Sequence, residues 1–311
     1  MSSFFHQFAL SSPLFLLVLI GYGVARWGHW PQSAAEALSR FAYTIAIPAM
    51  LFRMMGDFSK MPPVDARLLL AFFGGCLIVF IIGRVVAATL FHLDGVAQSV
   101  FALGGVFSNN VILGVAVAKT TLGDASLATV SMVIVFNALI LWTLVTLSVE
   151  WARHGEFSLR GFGKTLKGVL TNPIVASILA GTAWGFTALS LPASIDVPLA
   201  MLGQTAVPLS LVALGMSLAA YRIRDGIAQS PAITIIKLIV QPLVVWLLAR
   251  MLGLPPLETQ VVTLLAALPV GVNVYMMSQQ FHTLQGSVAA SLVLSTLIST
   301  FTVPLVLALV S

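Results

Sequence analysis

Two runs of residues in this chain have the types and spacing to do chemistry inside apolar surroundings. The first is Gly104-Gly105-Val106-Phe107-Ser108-Asn109-Asn110, and the second is Leu268-Pro269-Val270-Gly271-Val272-Asn273-Val274-Tyr275. Pro269 removes a backbone donor and clashes with the preceding turn, which frees carbonyls near Leu265 and Ala266, and Gly271 permits unwinding. A helix broken in mid-segment exposes a new N-terminal end, whose free amides and positive dipole suit an anion. Ser108, Asn109, Asn110, Asn273 and Tyr275 add neutral polar groups, so that with Pro269 and Gly271 they make a candidate site for a carboxylate-sized anion. The competing reading is that these asparagines only join helices by hydrogen bonds. Two such clusters, each beside helix breakers and at corresponding places, favour binding.

Two further residues belong with this set. Asn137, in mid-segment, either faces the same cavity or makes a helix-to-helix hydrogen bond. Lys237 is the one charge set well inside an apolar stretch; it either snorkels to the interface or attracts the anion or caps a half-helix carbonyl. The acids Asp57, Asp65, Asp94, Asp124, Glu150, Asp196 and Glu258 and the histidines His6, His29, His92, His154 and His282 all fall at segment ends or in loops. That pattern argues against a pump carrying protons on buried acids. It also argues against an intramembrane protease, because there is neither an H-E-x-x-H helix nor a mid-depth pair of Asp. Gly215-Met216-Ser217 resembles the start of a serine-nucleophile motif, but no histidine lies at that depth to activate it. Cys76, the single cysteine, reads as packing. No catalytic residue, metal ligand or cofactor site is expected, and the chain is read as not an enzyme.

The elements that must position these groups are membrane spans. The chain is 59% hydrophobic and 8% charged, against about 25% charged in soluble domains. Ten stretches approach the roughly 20 apolar residues of a spanning helix: 9–26, 37–55, 68–91, 96–119, 125–150, 168–191, 198–221, 231–252, 259–281 and 286–310. The first carries no basic lead-in and is expected to remain as a span. Net charge is +5, which here reflects loop asymmetry, and no nucleic-acid partner is expected. With the N-terminus outside, Arg26, Arg40, Arg84, Arg153, Arg160, Lys164, Lys167, Arg222, Arg224 and Lys237 lie toward the inside. Only Arg53, Lys60, Arg67, Lys119 and Arg250 lie toward the outside. The excess of basic residues inside predicts both termini on the non-cytoplasmic face.

The chain also repeats itself. At an offset of 160 residues Leu10-Ser11-Ser12-Pro13 lies over Leu170-Thr171-Asn172-Pro173, Gly21 over Gly181, and Ala46-Ile47-Pro48 over Ala206-Val207-Pro208. At an offset of 162, Gln98 meets Gln260 and Thr121-Leu122 meets Thr283-Leu284. The predicted fold class is therefore an all-α membrane protein of ten helices in two five-helix repeats, residues 1–152 and 153–311. Five is odd, so the second repeat is inverted. Pro48 and Pro208 read as matching kinks, and Gly181-Thr182-Ala183-Trp184-Gly185 as a close-packing face.

The Pro48 and Pro208 helices, the Asn109-Asn110 break and above all the Pro-x-Gly-x-Asn-x-Tyr run at Pro269 to Tyr275 resemble the auxin efflux carrier family, over essentially the whole chain. Within it the bacterial malonate-transporter-like members are the nearer match. Plant members carry a proline where this chain has Ser108-Asn109-Asn110, a departure that argues against an auxin-type substrate. The resemblance implies a fold related to the bile acid/sodium symporters, with helices 1, 2, 6 and 7 as scaffold and helices 3–5 and 8–10 as the moving part. It further implies that helices 4 and 9 are broken and cross at the substrate site, with Asn109, Asn110, Pro269 and Asn273 at the crossing. A homodimer through the scaffold in the bacterial inner membrane follows from the same likeness. The function expected is a secondary carrier of small carboxylates, malonate first, by elevator-like uniport. Proton- or sodium-coupled symport and an anion channel are the alternatives.

Overall fold

The computed structural model describes residues 2–56, 65–154, 171, 173–187, 189–219 and 228–310. Asp57, Lys60, Arg160, Lys164, Lys167, Leu170, Asn172, Arg222 and Arg224, used above for the charge asymmetry, the acid survey and the repeat, lie outside these residues.

Among the described residues the chain is helical. In apolar surroundings each backbone N–H and C=O must be satisfied within its own segment, and a helix does this. In chain order the helices are α1 (Ser2–Arg26), α2 (residues 32–56), α3 (Arg67–Thr89), α4 (Gly95–Val106), α5 (Asn110–Leu122), α6 (Ser126–His154), α7 (Pro173–Gly185), α8 (Ala193–Leu218), α9 (Ser230–Met251), α10 (Pro256–Ala267), α11 (Val272–Gln280) and α12 (Gln285–Val310). α3, α8, α9 and α12 are each long and apolar enough to cross a membrane. α1 reaches that standard as a pair, Phe4–Leu10 and Ser12–Arg26, bent by 44° just ahead of Pro13, whose ring cannot pack against the preceding turn.

α3 shows why these helices belong in lipid. Leu70, Leu77, Ile81 and Val85 recur on one exposed stripe, while Leu68, Ala71, Phe72, Cys76 and Val79 are buried on the other side. A helix apolar on every face has no side for water.

Prolines are accommodated by wider turns. Pro48 would press on the carbonyl four residues back, Thr44, and the turn Ala42–Ala46 is π-helical. Pro242 faces Leu238, inside a second π-helical turn, Ile236–Val240. Two boundaries differ from the sequence expectation. The sixth segment, expected over 168–191, ends at Gly185 and gives way to a turn; its expected start at 168 lies outside the described residues. The seventh begins earlier, at Ala193, directly after Pro192.

The helices fall into two groups of neighbours, joined where α1 lies along α12. α1 lies along α8, and α2 lies along α7 and α8. These contacts depend on glycine. A Cβ at Gly21 would come within 2.1 Å of Val212 O, at Gly215 within 1.9 Å of Val18 O, and at Gly181 within 2.5 Å of Phe52 O. Gly215 is thus a packing residue, and so is Gly181, in the Gly181–Gly185 face that the sequence marked for close packing. In the second set α3 packs on α4 and α9, α9 on α10 and α12, and α6 on α4 and α10.

Candidate functional site

α4 and α5 have 12 and 13 residues, or about 18 and 20 Å at 1.5 Å per residue. Neither alone spans a hydrocarbon core of about 30 Å. α10, with 12 residues, and α11, with 9, are equally short. Each pair is one apolar run broken in the middle, at 107–109 and at 268–271, and Phe107 and Leu268 both leave the helix in extended conformation.

The two breaks lie against each other, antiparallel. Asn109 N–H donates to Pro269 O at 3.0 Å, and Gly271 N–H donates to Phe107 O at 2.8 Å, with Ser108 opposite Val270 as a single rung of β-structure. This rung answers the backbone accounting that a break in apolar surroundings imposes. Val270 N–H donates to Ser295 Oγ at 3.0 Å, so α12 supports the second break. Glycine is required at 271 by closeness: an added Cβ would sit 3.0 Å from Ser108 O and 3.1 Å from the Phe107 ring.

The C-terminal ends of α4 and α10 are capped from α9. Lys237 Nζ donates to Ala266 O at 2.6 Å, and Gln241 Nε2 donates to Val106 O at 2.8 Å. Both side chains are fully enclosed. Lys237 therefore does not snorkel; it meets one of the carbonyls that Pro269 was expected to free. Gln241 also donates to Cys76 Sγ at 3.5 Å, which places the buried cysteine in the packing around the end of α4.

At the opposite ends, α5 begins at Asn110 and α11 at Val272. The first amides of each lack an intrahelical acceptor by geometry. Asn109 O receives Leu113 N–H and Gly114 N–H, and Asn110 opens a π-helical turn. Asn110 Nδ2 donates to Asn137 Oδ1 at 3.4 Å. Asn137 thus stands in the same cluster, and the contact is also the helix-to-helix hydrogen bond that was the alternative reading. Ser108 Oγ and Asn110 Oδ1 are buried with no hydrogen-bond partner among the described residues. Leaving such a group unpaired costs about 1–3 kcal/mol. Asn109 is buried as well.

The structure therefore gathers Ser108, Asn109, Asn110, Asn137, Pro269 and Gly271 at one crossing, with Lys237 behind it at the end of α10. Asn273 and Tyr275 follow on the first turns of α11, half-buried. Gln241 and Ser295 were not singled out in the sequence. Gln241 carried a signal, since it stands four residues from Lys237 beside Pro242; Ser295, one of several small polar residues in α12, carried none. A second polar cluster lies at the far end of α3, where the Arg84 guanidinium reaches Ser148 Oγ, Ser99 Oγ and Gln98 Oε1. Outside the spans, the Arg67 guanidinium holds the Asp65 carboxyl below the usual carboxylate range and donates to Leu252 O at 3.0 Å.

The chain is similar to known transport proteins over most of its length. A protein of Rhizobium meliloti (strain 1021), provisionally named a malonate transporter, is 26% identical over 294 residues, covering 94% of this chain and 92% of its own. An uncharacterised transporter of Methanocaldococcus jannaschii is 24% identical over 268 residues, 82% of each chain. Residues 8–307 match the family described as membrane transport protein, the auxin efflux carrier family. With that match running nearly end to end, this chain belongs to the family, and it is a multi-pass membrane transporter, not an enzyme.

Proposed function

We propose that the protein is a secondary carrier for small carboxylates, malonate first, that works by moving one bundle against the other. The observation that carries this reading is the crossing itself, where two half-helix N-termini and two buried, unpartnered oxygens converge. Ser108 Oγ–H, the α5 amides that follow Asn110 N–H, which itself donates to Ser108 O at 2.8 Å, and the first amides of α11 serve as donors to a carboxylate. Asn109, Asn110, Asn137, Asn273 and Tyr275 complete the site. The provisional name of the Rhizobium relative supports malonate as the first substrate to try.

The ten-span, inverted-repeat architecture belongs to the same proposal, with both termini on the non-cytoplasmic side of a bacterial inner membrane. Reciprocal contacts support it. At an offset of 160 Gly21 becomes Gly181 and Phe52 becomes Val212, and the close approaches are Gly21 to Val212 and Gly181 to Phe52. At an offset of 162 Asn109 becomes Gly271 and Phe107 becomes Pro269, which turns one hydrogen bond of the crossing into the other. Two separate pairs of contacts related by nearly one shift are what a two-fold axis through the crossing produces. The α1, α2, α7 and α8 set then serves as scaffold and as the surface of a homodimer, and the other helices move.

One observation favours a variant of this reading. Asn110 Oδ1 is an acceptor, which a carboxyl O–H fills and a bare carboxylate does not. A half-protonated dicarboxylate, or symport with a proton, fits that atom. The test is saturable uptake and exchange of labelled malonate in proteoliposomes, beside a thermal-shift screen of mono- and dicarboxylates, in which ligand at 100 times its Kd stabilises by about 2.7 kcal/mol. Absence of saturable flux and of any shift overturns the carrier reading; linear, non-exchanging flux moves it to a channel.

A further inference from the structure

A helix broken at mid-depth offers a ligand two kinds of end. The amide end is positive and the carbonyl end negative, each by roughly half a charge. Two broken helices that cross bring two of each together: α5 and α11 begin at the crossing, while α4 and α10 end there. With all four ends open, such a crossing holds an anion at two of them and a cation at the other two.

In this chain the two negative ends are taken, and by one helix. Lys237 occupies the end of α10 through Ala266 O, and Gln241, four residues on, occupies the end of α4 through Val106 O. The close approach of α9 to α4 is built in, since a Cβ at Gly104 or Gly105 would come within 2.8 Å of Ile233 or 2.7 Å of Ile236. Lys237 is the one basic side chain among the described residues that is buried. The ion pairs of those residues join Arg53 to Asp196, Arg67 to Asp65 and Lys119 to Asp124. Lys237 is in none of them, and a helix carbonyl end stands where a carboxylate partner would be. Resting on the carrier reading above, we propose that Lys237 and Gln241 are positioning residues that set the sign of the transported charge: by occupying the carbonyl ends of α4 and α10 they leave only amide ends to the substrate.

The test is malonate uptake in proteoliposomes by wild type, Lys237→Met and Gln241→Met, in choline and in sodium media of equal ionic strength. Wild type should keep one KM in both media. Each variant that melts cooperatively should show a KM for malonate raised about tenfold, with kcat changed less, and a KM that now shifts when sodium replaces choline. A purely structural role moves the melting temperature and the amount of active protein but not the KM or its sodium response. Folded variants with the wild-type KM and no sodium response overturn the inference and leave the carrier reading intact. So does a wild-type KM that already depends on sodium, which needs no variant to fold. Absence of malonate uptake by wild type overturns the carrier reading and takes this inference with it.

Discussion

Gly271→Ala puts the contact between the two breaks under direct load. The new Cβ would lie 3.0 Å from Ser108 O and 3.1 Å from Phe107 Cδ1, where ordinary contact begins at 3.4 Å. Neither neighbour is a free side-chain tip. One is backbone of the opposing break, and the other is the ring of a residue whose own carbonyl receives Gly271 N–H at 2.8 Å. Relief requires the two segments to part by a few tenths of an ångström, a strain of overpacking worth about 1–3 kcal/mol. Parting also lengthens the paired bonds Gly271 to Phe107 and Asn109 to Pro269, each worth about 0.5–1.5 kcal/mol net. A loss near 2 kcal/mol, confined to the crossing, corresponds to about 30-fold. Malonate uptake by this variant should therefore fall in kcat/KM by about 10- to 100-fold, with the protein still folded by its melting curve.

The control is Gly74→Ala on α3, where the nearest atom to the new Cβ is Leu248 Cδ1 at 3.7 Å. There the extra methyl has room, alanine favours the helix by up to about 1 kcal/mol, and uptake should match wild type. Wild-type kinetics in Gly271→Ala would refute the reasoning, because the two breaks would then not need to touch for transport.

Asn110→Ala removes the donor to Asn137 and the buried acceptor together; loss of a hydrogen bond involving a charged ligand costs about 1.5–3 kcal/mol, so Kd for malonate by thermal shift should rise roughly 10- to 150-fold. Wild-type binding would reduce Asn110 to helix joinery. Cysteines placed at Ser2 and Asp124 should react with an impermeant thiol reagent from outside, and those at Trp30 and His92 should not, over the low background of the buried Cys76; the opposite pattern inverts the topology. Under an imposed potassium diffusion potential, at equal pH and without sodium, malonate uptake should follow the sign of the potential, since each charge moved is worth about 2.3 kcal/mol per 100 mV. Indifference to the potential would move the mechanism to electroneutral proton symport.

The breaks were legible in the sequence because proline, glycine and asparagine act locally: Pro269 denies a donor and Gly271 denies a side chain wherever the chain runs. The crossing partners were legible only through the repeat, which placed Asn109 and Gly271 in register without saying that they touch. Lys237 stood out as a charge in an apolar run and Ala266 as a carbonyl that Pro269 frees, but nothing joined the two, because a contact with a carbonyl 29 residues away leaves no mark in side-chain types. The partner of Gln241, the Val106 carbonyl, was hidden for the same reason. Helix ends such as the end of α7 at Gly185 were misplaced because apolar composition continues past the point where the backbone turns. Hydropathy measures what lipid tolerates, not where the hydrogen-bond ladder stops.

The remaining step concerns the empty carrier. A site built from buried charged side chains has to carry those charges back across the membrane unloaded, and an ion in hydrocarbon is costly. On the proposed reading this crossing limits that cost to Lys237, whose ammonium stays on Ala266 O at 2.6 Å whether or not substrate is bound. Its attraction for an anion comes from two amide ends, together about one positive charge, which disappears into the helices that bear it and requires no free ion when the substrate leaves. The paired bonds between Asn109 and Pro269 and between Gly271 and Phe107 keep the breaks satisfied meanwhile. One unit of positive potential also matches a single carboxylate better than two. A dicarboxylate such as malonate is then held best with one carboxyl protonated, and the acceptor Asn110 Oδ1 is the atom that carboxyl O–H would meet. Loaded in that form, the carrier moves nearly one net negative charge, the same quantity that the diffusion-potential experiment reads.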